Sequence, residues 1–241
     1  METNYSPYIL SESLARIDEI LAGKDAQYED RESIPGRNEL TFDNGFNCKC
    51  TALFVDMRNS KALAESKSKP SLAKLYRAYI SELVAVFKGN TKISEITIEG
   101  DCVWGVFDTP YKSDINEVFA TSFTAASLVD ILNYKLRKVG STSAFNVGIG
   151  MAYGEALVIK AGFKNSGINE ATWIGRVVGE AARLCSFGNR TYTDFRTMIS
   201  AVVYANLSEA NQRLLSYNQH RDCYHGNIIQ VGMEHWLTTQ G

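Results

Sequence analysis

The chain has 241 residues, with 25 Lys+Arg against 27 Asp+Glu, a net charge of −2, 45% hydrophobic residues and 22% charged ones. These are globular values, and they argue against both a disordered chain and a basic nucleic-acid binder. No apolar run reaches the ~18–20 residues that span a bilayer, and Met1 to Leu10 lacks a secretory leader pattern. The odd set of five cysteines has no C-x-x-C pair, so the chain reads as a reduced, cytoplasmic protein.

Along the chain, Leu10, Leu14, Ile17 and Leu21 recur at helical spacing and Gly23 stops the run, which predicts a short amphipathic helix. The polar stretch Lys24 to Asn47 carries Pro35, Gly36 and an Asn44-Gly45 turn signal and reads as a linker or loop. Thr51 to Val55 is a short apolar run ending in Asp56, a buried-strand signal. Ser71 to Phe87 has a helical apolar stripe that includes Leu75, Tyr76 and Tyr79, with Ser71 expected to cap it. Ile93–Ile98 and Cys102–Phe107 read as strands joined by a Glu99-Gly100-Asp101 hairpin. Ser113 to Val139 is a long helix with acids first and bases last. Phe145–Met151 and Glu155–Ala161 read as a second hairpin around Tyr153-Gly154. The order is β-α-β-β-α-β, the ferredoxin-like split unit of the α+β class. Trp173-Ile174-Gly175 then leads into a helix from Arg176 to about Ser186, and mixed signals follow to Gly241.

Two carboxylates carry the chemistry. In this topology the first strand lies beside the third and antiparallel to it, so the hairpin tip bearing Asp101 comes close to the strand end bearing Asp56. Two carboxylates brought together repel unless a divalent cation bridges them. Two such ions on a triphosphate would support an in-line displacement, the task of a nucleotidyl-transfer or cyclisation palm. The three histidines, His220, His225 and His235, all fall near the C-terminus, so the metal chemistry rests on carboxylates and hard cations. Backbone N–H groups after Asp56, at Asn59 and Ser60, can hold phosphate oxygens. Arg176, Gly179 and Arg183 share one helix face. Arg183 is a candidate phosphate clamp, with a solvent-exposed helix Arg as the plainer reading. Phe54 shares a strand face with Asp56, where it either touches nucleotide or fills core, and core is also the commoner role for Tyr153 and Trp173.

Phe54-Val55-Asp56-Met57-Arg58-Asn59-Ser60, Ile98 to Phe107 and Ile174 to Leu184, in this order, resemble the catalytic domain of class III nucleotidyl cyclases. The likeness spans about residues 48–235 and divides the chain into an N-terminal helix and linker (1–47) and a cyclase palm with C-terminal additions (48–241). It implies a homodimer with two active sites at the interface. Asp56, Asp101 and the Met57 carbonyl would hold two Mg²⁺ or Mn²⁺ ions, and the partner chain would supply base recognition and Arg183. The base-recognition positions fall on Thr97 and Thr172, and neither lock of the purine cyclases is present. The family's catalytic Asn falls at Gly179, with Arg176 three residues before it, and the phosphate-gripping Lys has no clear equivalent beyond Arg221.

The chain also resembles the bacterial pyrimidine cyclases of antiphage signalling, through Val55 to Ser60, Glu99 to Trp104 and Lys160-Ala161-Gly162 with Ser166 to Asn169. That resemblance implies conversion of UTP, with CTP as the alternative, to a 3′,5′-cyclic monophosphate that activates a separate effector protein. It implies no nucleic-acid or membrane partner. Phe54, Arg58, Asn59, Ser60, Thr97, Thr172 and Arg176 are the expected substrate contacts, with Asp56, Asp101 and Arg183 as catalytic residues. A purine cyclase and a catalytically silent nucleotide-binding homologue are the remaining readings.

Overall fold

A computed structural model of the chain describes residues 5–141, 144–164 and 166–240. Helix α1 (Leu10–Leu21) forms on the expected spacing, and none of its residues is buried. Strand β1 (Tyr28–Arg31) pairs in parallel with Gly45–Cys48 at the start of β2 (Gly45–Met57). The stretch expected as a linker thus joins the sheet ahead of residue 48. Its tetrapeptide, Tyr-Glu-Asp-Arg, has no apolar alternation to announce a strand. It is anchored instead by the Arg31 guanidinium lying 4.3 Å from the centre of the Phe46 ring.

Helices α2 (Ser60–Ser66) and α3 (Lys69–Lys88) follow. Ser68, not Ser71, caps α3, its hydroxyl accepting from the Ser71 N–H. Strands β3 (Ile93–Glu99) and β4 (Cys102–Asp108) make the expected hairpin, and α4 (Lys112–Lys138) the expected long helix. By length and composition alone α4 would reach across a bilayer, which corrects the expectation of no span-length stretch. Its apolar side is nevertheless packed into the core, with Ile115, Val118, Phe119 and Val129 buried.

The second expected hairpin is not formed. Strand β5 (Val147–Phe163) runs straight through Tyr153 and Gly154, because it pairs with all of β2, from Gly45↔Ile159 to Met57↔Val147. That ladder leaves no backbone group at 153–154 in need of a turn. The reversal comes after Phe163, into β6 (Ile168–Ile174). Helix α5 (Arg176–Phe187), strand β7 (Thr197–Ile199), helices α6 (Ala201–Asn206) and α7 (Glu209–Gln212), strands β8 (Ser216–Asn218) and β9 (Cys223–Gly226) and helix α8 (Val231–Thr239) complete the chain. The sheet order is β3-β4-β2-β5-β7-β9-β8, with β1 on β2 and β6 on β5.

Alternation along β2 sends its two faces to different cores. Leu53, Val55 and Met57 join the core that holds α3 and α4 residues, and Ala52 and Phe54 join the core that holds α5 residues. Asp56 follows the second set, so it stands on the α5 side of the sheet. The five cysteines are free; four are buried, and burial pushes the Cys48 thiol up to about 11.

Candidate active site

Asp56 closes β2 directly opposite Cys102, the residue after Asp101, so the β3–β4 turn delivers Asp101 beside it as the topology requires. Gly100 makes that turn with a positive φ of 64°. Burial raises the pKa of Asp56; the adjacent Arg58 cation opposes the rise, and the negative charge of Asp101 adds to it. The two expected metal carboxylates therefore feel each other. Among the described residues no cluster of three or more His, Cys, Asp or Glu side chains exists. The donor set is two carboxylates with the Met57 carbonyl nearby, an all-oxygen set suited to a hard divalent cation.

Tyr76 is a neighbour that the sequence reading treated as apolar stripe. It sits half-buried on α3; burial raises its pKa, as do Asp101 and Asp56, eased by a hydrogen bond with Ser60. Its signal was present: a Tyr on a buried stripe carries a hydroxyl that needs a partner. Ser60 thus faces the same space, and Asn59 adopts the left-handed region (φ 57°) that turns the chain from β2 into α2.

Arg58 does not reach outward. Its side chain is 9% exposed, and its guanidinium donates to Asp56 Oδ2 (3.0 Å), to the Gly188 carbonyl (2.8 Å) and to the Cys185 carbonyl. These donors are used inside the fold. Gly148 and Gly150 on β5 let α5 approach, since a Cβ at 148 would overlap Arg58 and the Cys185 carbonyl, and one at 150 would overlap the Ala181 carbonyl.

Phe54 is buried, its ring stacked on Trp104 at 4.8 Å with planes 2° apart. Thr97, paired with Trp104 across β3 and β4, lines an open cleft of about 480 Å³ with Arg37, Glu95, Glu99, Ala171 and Trp173. Trp173 Nε1 donates to Glu95 Oε2 (3.0 Å), and Arg37 pairs with Glu95 Oε1 at 3.4 Å. Thr172 is exposed and is not among the residues of this cleft, because strand alternation turns it away from the side that Ala171 and Trp173 present. Tyr153 packs against the α3–α4 core.

On α5, Arg176 and Arg183 are exposed, and a Cβ at Gly179 would meet nothing within 4 Å. Arg183 lies 5.3 Å and Arg221 4.5 Å from the centre of the Phe187 ring. Arg221 is held by Asp194 through Nε–Oδ1 (3.1 Å) and Nη2–Oδ2 (2.8 Å).

No family model matches the chain. A protein of Gulbenkiania mobilis named uridylate cyclase is 36% identical over 254 aligned residues, covering 98% of each chain. A second, from Treponema porcinum and also named uridylate cyclase, is 36% identical over 213 residues, 87% of this chain and 74% of that one. Among solved structures, the adenylyl cyclase CyaB of P. aeruginosa superposes with a TM-score of 0.61 at 22% identity, over 72% of this chain and 85% of that one. A class III adenylyl cyclase-like ATP-binding protein from Pseudomonas aeruginosa reaches 0.71 at 20% identity, over 95% of this chain and 50% of that one. At these identities the two structures share the palm fold with this chain.

Proposed function

The chain belongs to the uridylate cyclase family, with the palm fold of class III nucleotidyl cyclases, and from that premise we propose that it converts UTP to 3′,5′-cyclic UMP and pyrophosphate. The observation that carries the reading is the meeting of Asp56 and Asp101 at the end of β2, on the face that also bears Thr97 and its cleft. The ribose 3′-hydroxyl gives up its proton to water, its oxygen attacks the α-phosphorus, the bond from that phosphorus to the bridging oxygen of the β-phosphate breaks, and pyrophosphate leaves. Asp56, Asp101 and the Met57 carbonyl would hold two divalent cations, Mn²⁺ or Mg²⁺. When bound, these supply activation of the 3′-hydroxyl and neutralisation of the leaving group. Burial first, and the negative charge of Asp101 in addition, disfavour an ionised Asp56 against the pull of Arg58, and a divalent cation would offset both.

Arg183, exposed on α5, supplies positive charge to the phosphoryl oxygens. Asn59 and Ser60, at the turn from β2 into α2, would contact the triphosphate, and Arg176, at the opposite end of α5 from Arg58, would contact it from the partner chain. The Thr97 hydroxyl donates or accepts, so it meets a pyrimidine edge, with Glu95 and Trp173 beside it. In a homodimer the open face of Gly179 and Arg183 would turn toward the partner's nucleotide, completing each site from two chains. The product acts as a second messenger on a separate effector in antiphage defence in the cytoplasm, a role supported by the likeness to antiphage pyrimidine cyclases.

The test is incubation of the pure protein with each of the four nucleoside triphosphates and Mn²⁺, with products identified by mass. Cyclic UMP from UTP is expected, and Asp56→Ala should abolish it while leaving the circular dichroism spectrum intact. Dominant cyclic CMP would move the assignment to CTP. A purine product, or turnover retained in Asp56→Ala, would overturn it.

A further inference from the structure

Arg58 lies two residues beyond Asp56, yet its side chain turns back into the fold. Three groups receive it. Nη1 donates to Asp56 Oδ2 at 3.0 Å, Nε donates to the Gly188 carbonyl at 2.8 Å, and Nη2 donates to the Cys185 carbonyl. The backbone N–H of Arg58 donates to the Asn146 carbonyl at 2.7 Å, so both ends of the residue are fixed. The two carbonyls lie at the C-terminal end of α5, Cys185 in its last turn and Gly188 at its cap, where the negative end of the helix dipole sits; the Cys185 oxygen also accepts from the Gly188 N–H at 3.1 Å. A planar cation with a rigid fork can serve a helix end and a carboxylate at once; a lysine ammonium cannot span both. Room for that fork exists because residue 148, facing Asp56 across the ladder, is glycine.

We infer that Arg58 is a positioning residue of the cyclisation site. It orients the Asp56 carboxylate toward the cation, it fixes α5 and therefore Arg183 relative to that carboxylate, and it makes no contact with the nucleotide. One guanidinium thus fixes, within one chain, the acid that holds a metal in its own site and the helix that carries the phosphate-binding Arg to the partner's site. This inference rests on the reading of Asp56 as a metal ligand.

The experiment titrates Mn²⁺ into full-length wild type, Arg58→Gln and Arg58→Lys by electron paramagnetic resonance, alongside UTP kinetics. A shell residue of this kind typically changes metal affinity by about 10–100-fold. Both variants should show a Mn²⁺ dissociation constant raised by about that factor, a kcat lowered comparably, and a KM for UTP at saturating Mn²⁺ within about twofold of wild type. Arg58→Lys keeps the positive charge and is the variant to read if Arg58→Gln fails to fold. Combining Arg58→Lys with Arg183→Ala should lower kcat by less than the product of the single effects, since the lysine already leaves Arg183 misplaced. A raised KM with unchanged Mn²⁺ binding would make Arg58 a substrate ligand and overturn the inference, as would wild-type behaviour of both variants or strictly multiplicative effects. A wild-type protein that binds Mn²⁺ without turning over UTP would fail the functional reading alone. A wild-type protein that binds no Mn²⁺ would remove the ground of the inference itself.

Discussion

Gly148 on β5 faces Asp56 on β2 across the central ladder, and the guanidinium of Arg58 fills the volume that a side chain at 148 would need. A single hydrogen in place of a methyl therefore lets the end of α5, an arginine and an acidic strand end meet in one place.

Gly148→Ala should consequently be costly, since the methyl overlaps both the guanidinium and the Cys185 carbonyl. Overpacking of this kind costs about 1–3 kcal/mol, and each kcal/mol lowers Tm by about 2–4 °C for a chain of this size. Gly154→Ala on the same strand meets only Val177 at 3.7 Å and should melt close to wild type. Thermal denaturation of the pair checks this; equal melting would disprove the packing described.

Gly179→Ala should raise stability by about 0.8–1 kcal/mol, the difference in helix propensity, because no neighbour lies within 4 Å. Urea titration measures it. A loss of stability would mean that another chain packs against this face.

Trp104 presents the opposite case, an indole N–H that is buried without a partner. Trp104→Phe keeps the stack on Phe54, removes the unpaired donor and should stay within about 1 kcal/mol of wild type, whereas Trp104→Ala should cost about 3–5 kcal/mol. Chemical denaturation of both variants decides. Equal costs would indicate that the N–H has a partner in solution.

Asp194 links stability to acid pH. The hydrogen bond from Arg221 holds its pKa down to about 2, assisted by Thr191 and Asn218 and opposed by burial. A carboxylate whose folded pKa is depressed stabilises the fold above its unfolded value of 3.8, and that share is lost as pH falls from about 4 to about 2. With the side chain 1% exposed, the share is roughly 2 kcal/mol at about 1.4 kcal/mol per unit. Asp194→Asn should flatten the stability curve in that window, and Arg221→Ala should cost about 3–5 kcal/mol at neutral pH by leaving a buried charge unpaired. Denaturation at a series of acid pH values reads both; an unchanged slope in Asp194→Asn would assign the acid sensitivity elsewhere.

Hydrophobic period and end signals made the β-α-β-β-α-β order legible, along with the boundaries of α1, α4 and α5 to within a residue or two. Topology rules then brought Asp56 to Asp101, because a hairpin strand antiparallel to the first must start where the first one ends. The sequence by itself determined this much because those features depend on which face a residue occupies within its own element. Tertiary structure decided the rest. Tyr153-Gly154 reads locally as a turn, and only the full-length ladder with β2 makes it mid-strand. Thr172 and Trp173 are adjacent in sequence, but the side that Trp173 presents is the one lining the Thr97 cleft. Arg58 next to an acidic strand end reads as a substrate contact. Its direction was set by a glycine ninety positions later and by carbonyls at 185 and 188. A long flexible cation points toward the acceptors that the fold gathers within its reach, and those acceptors come together only when α5 settles onto β5.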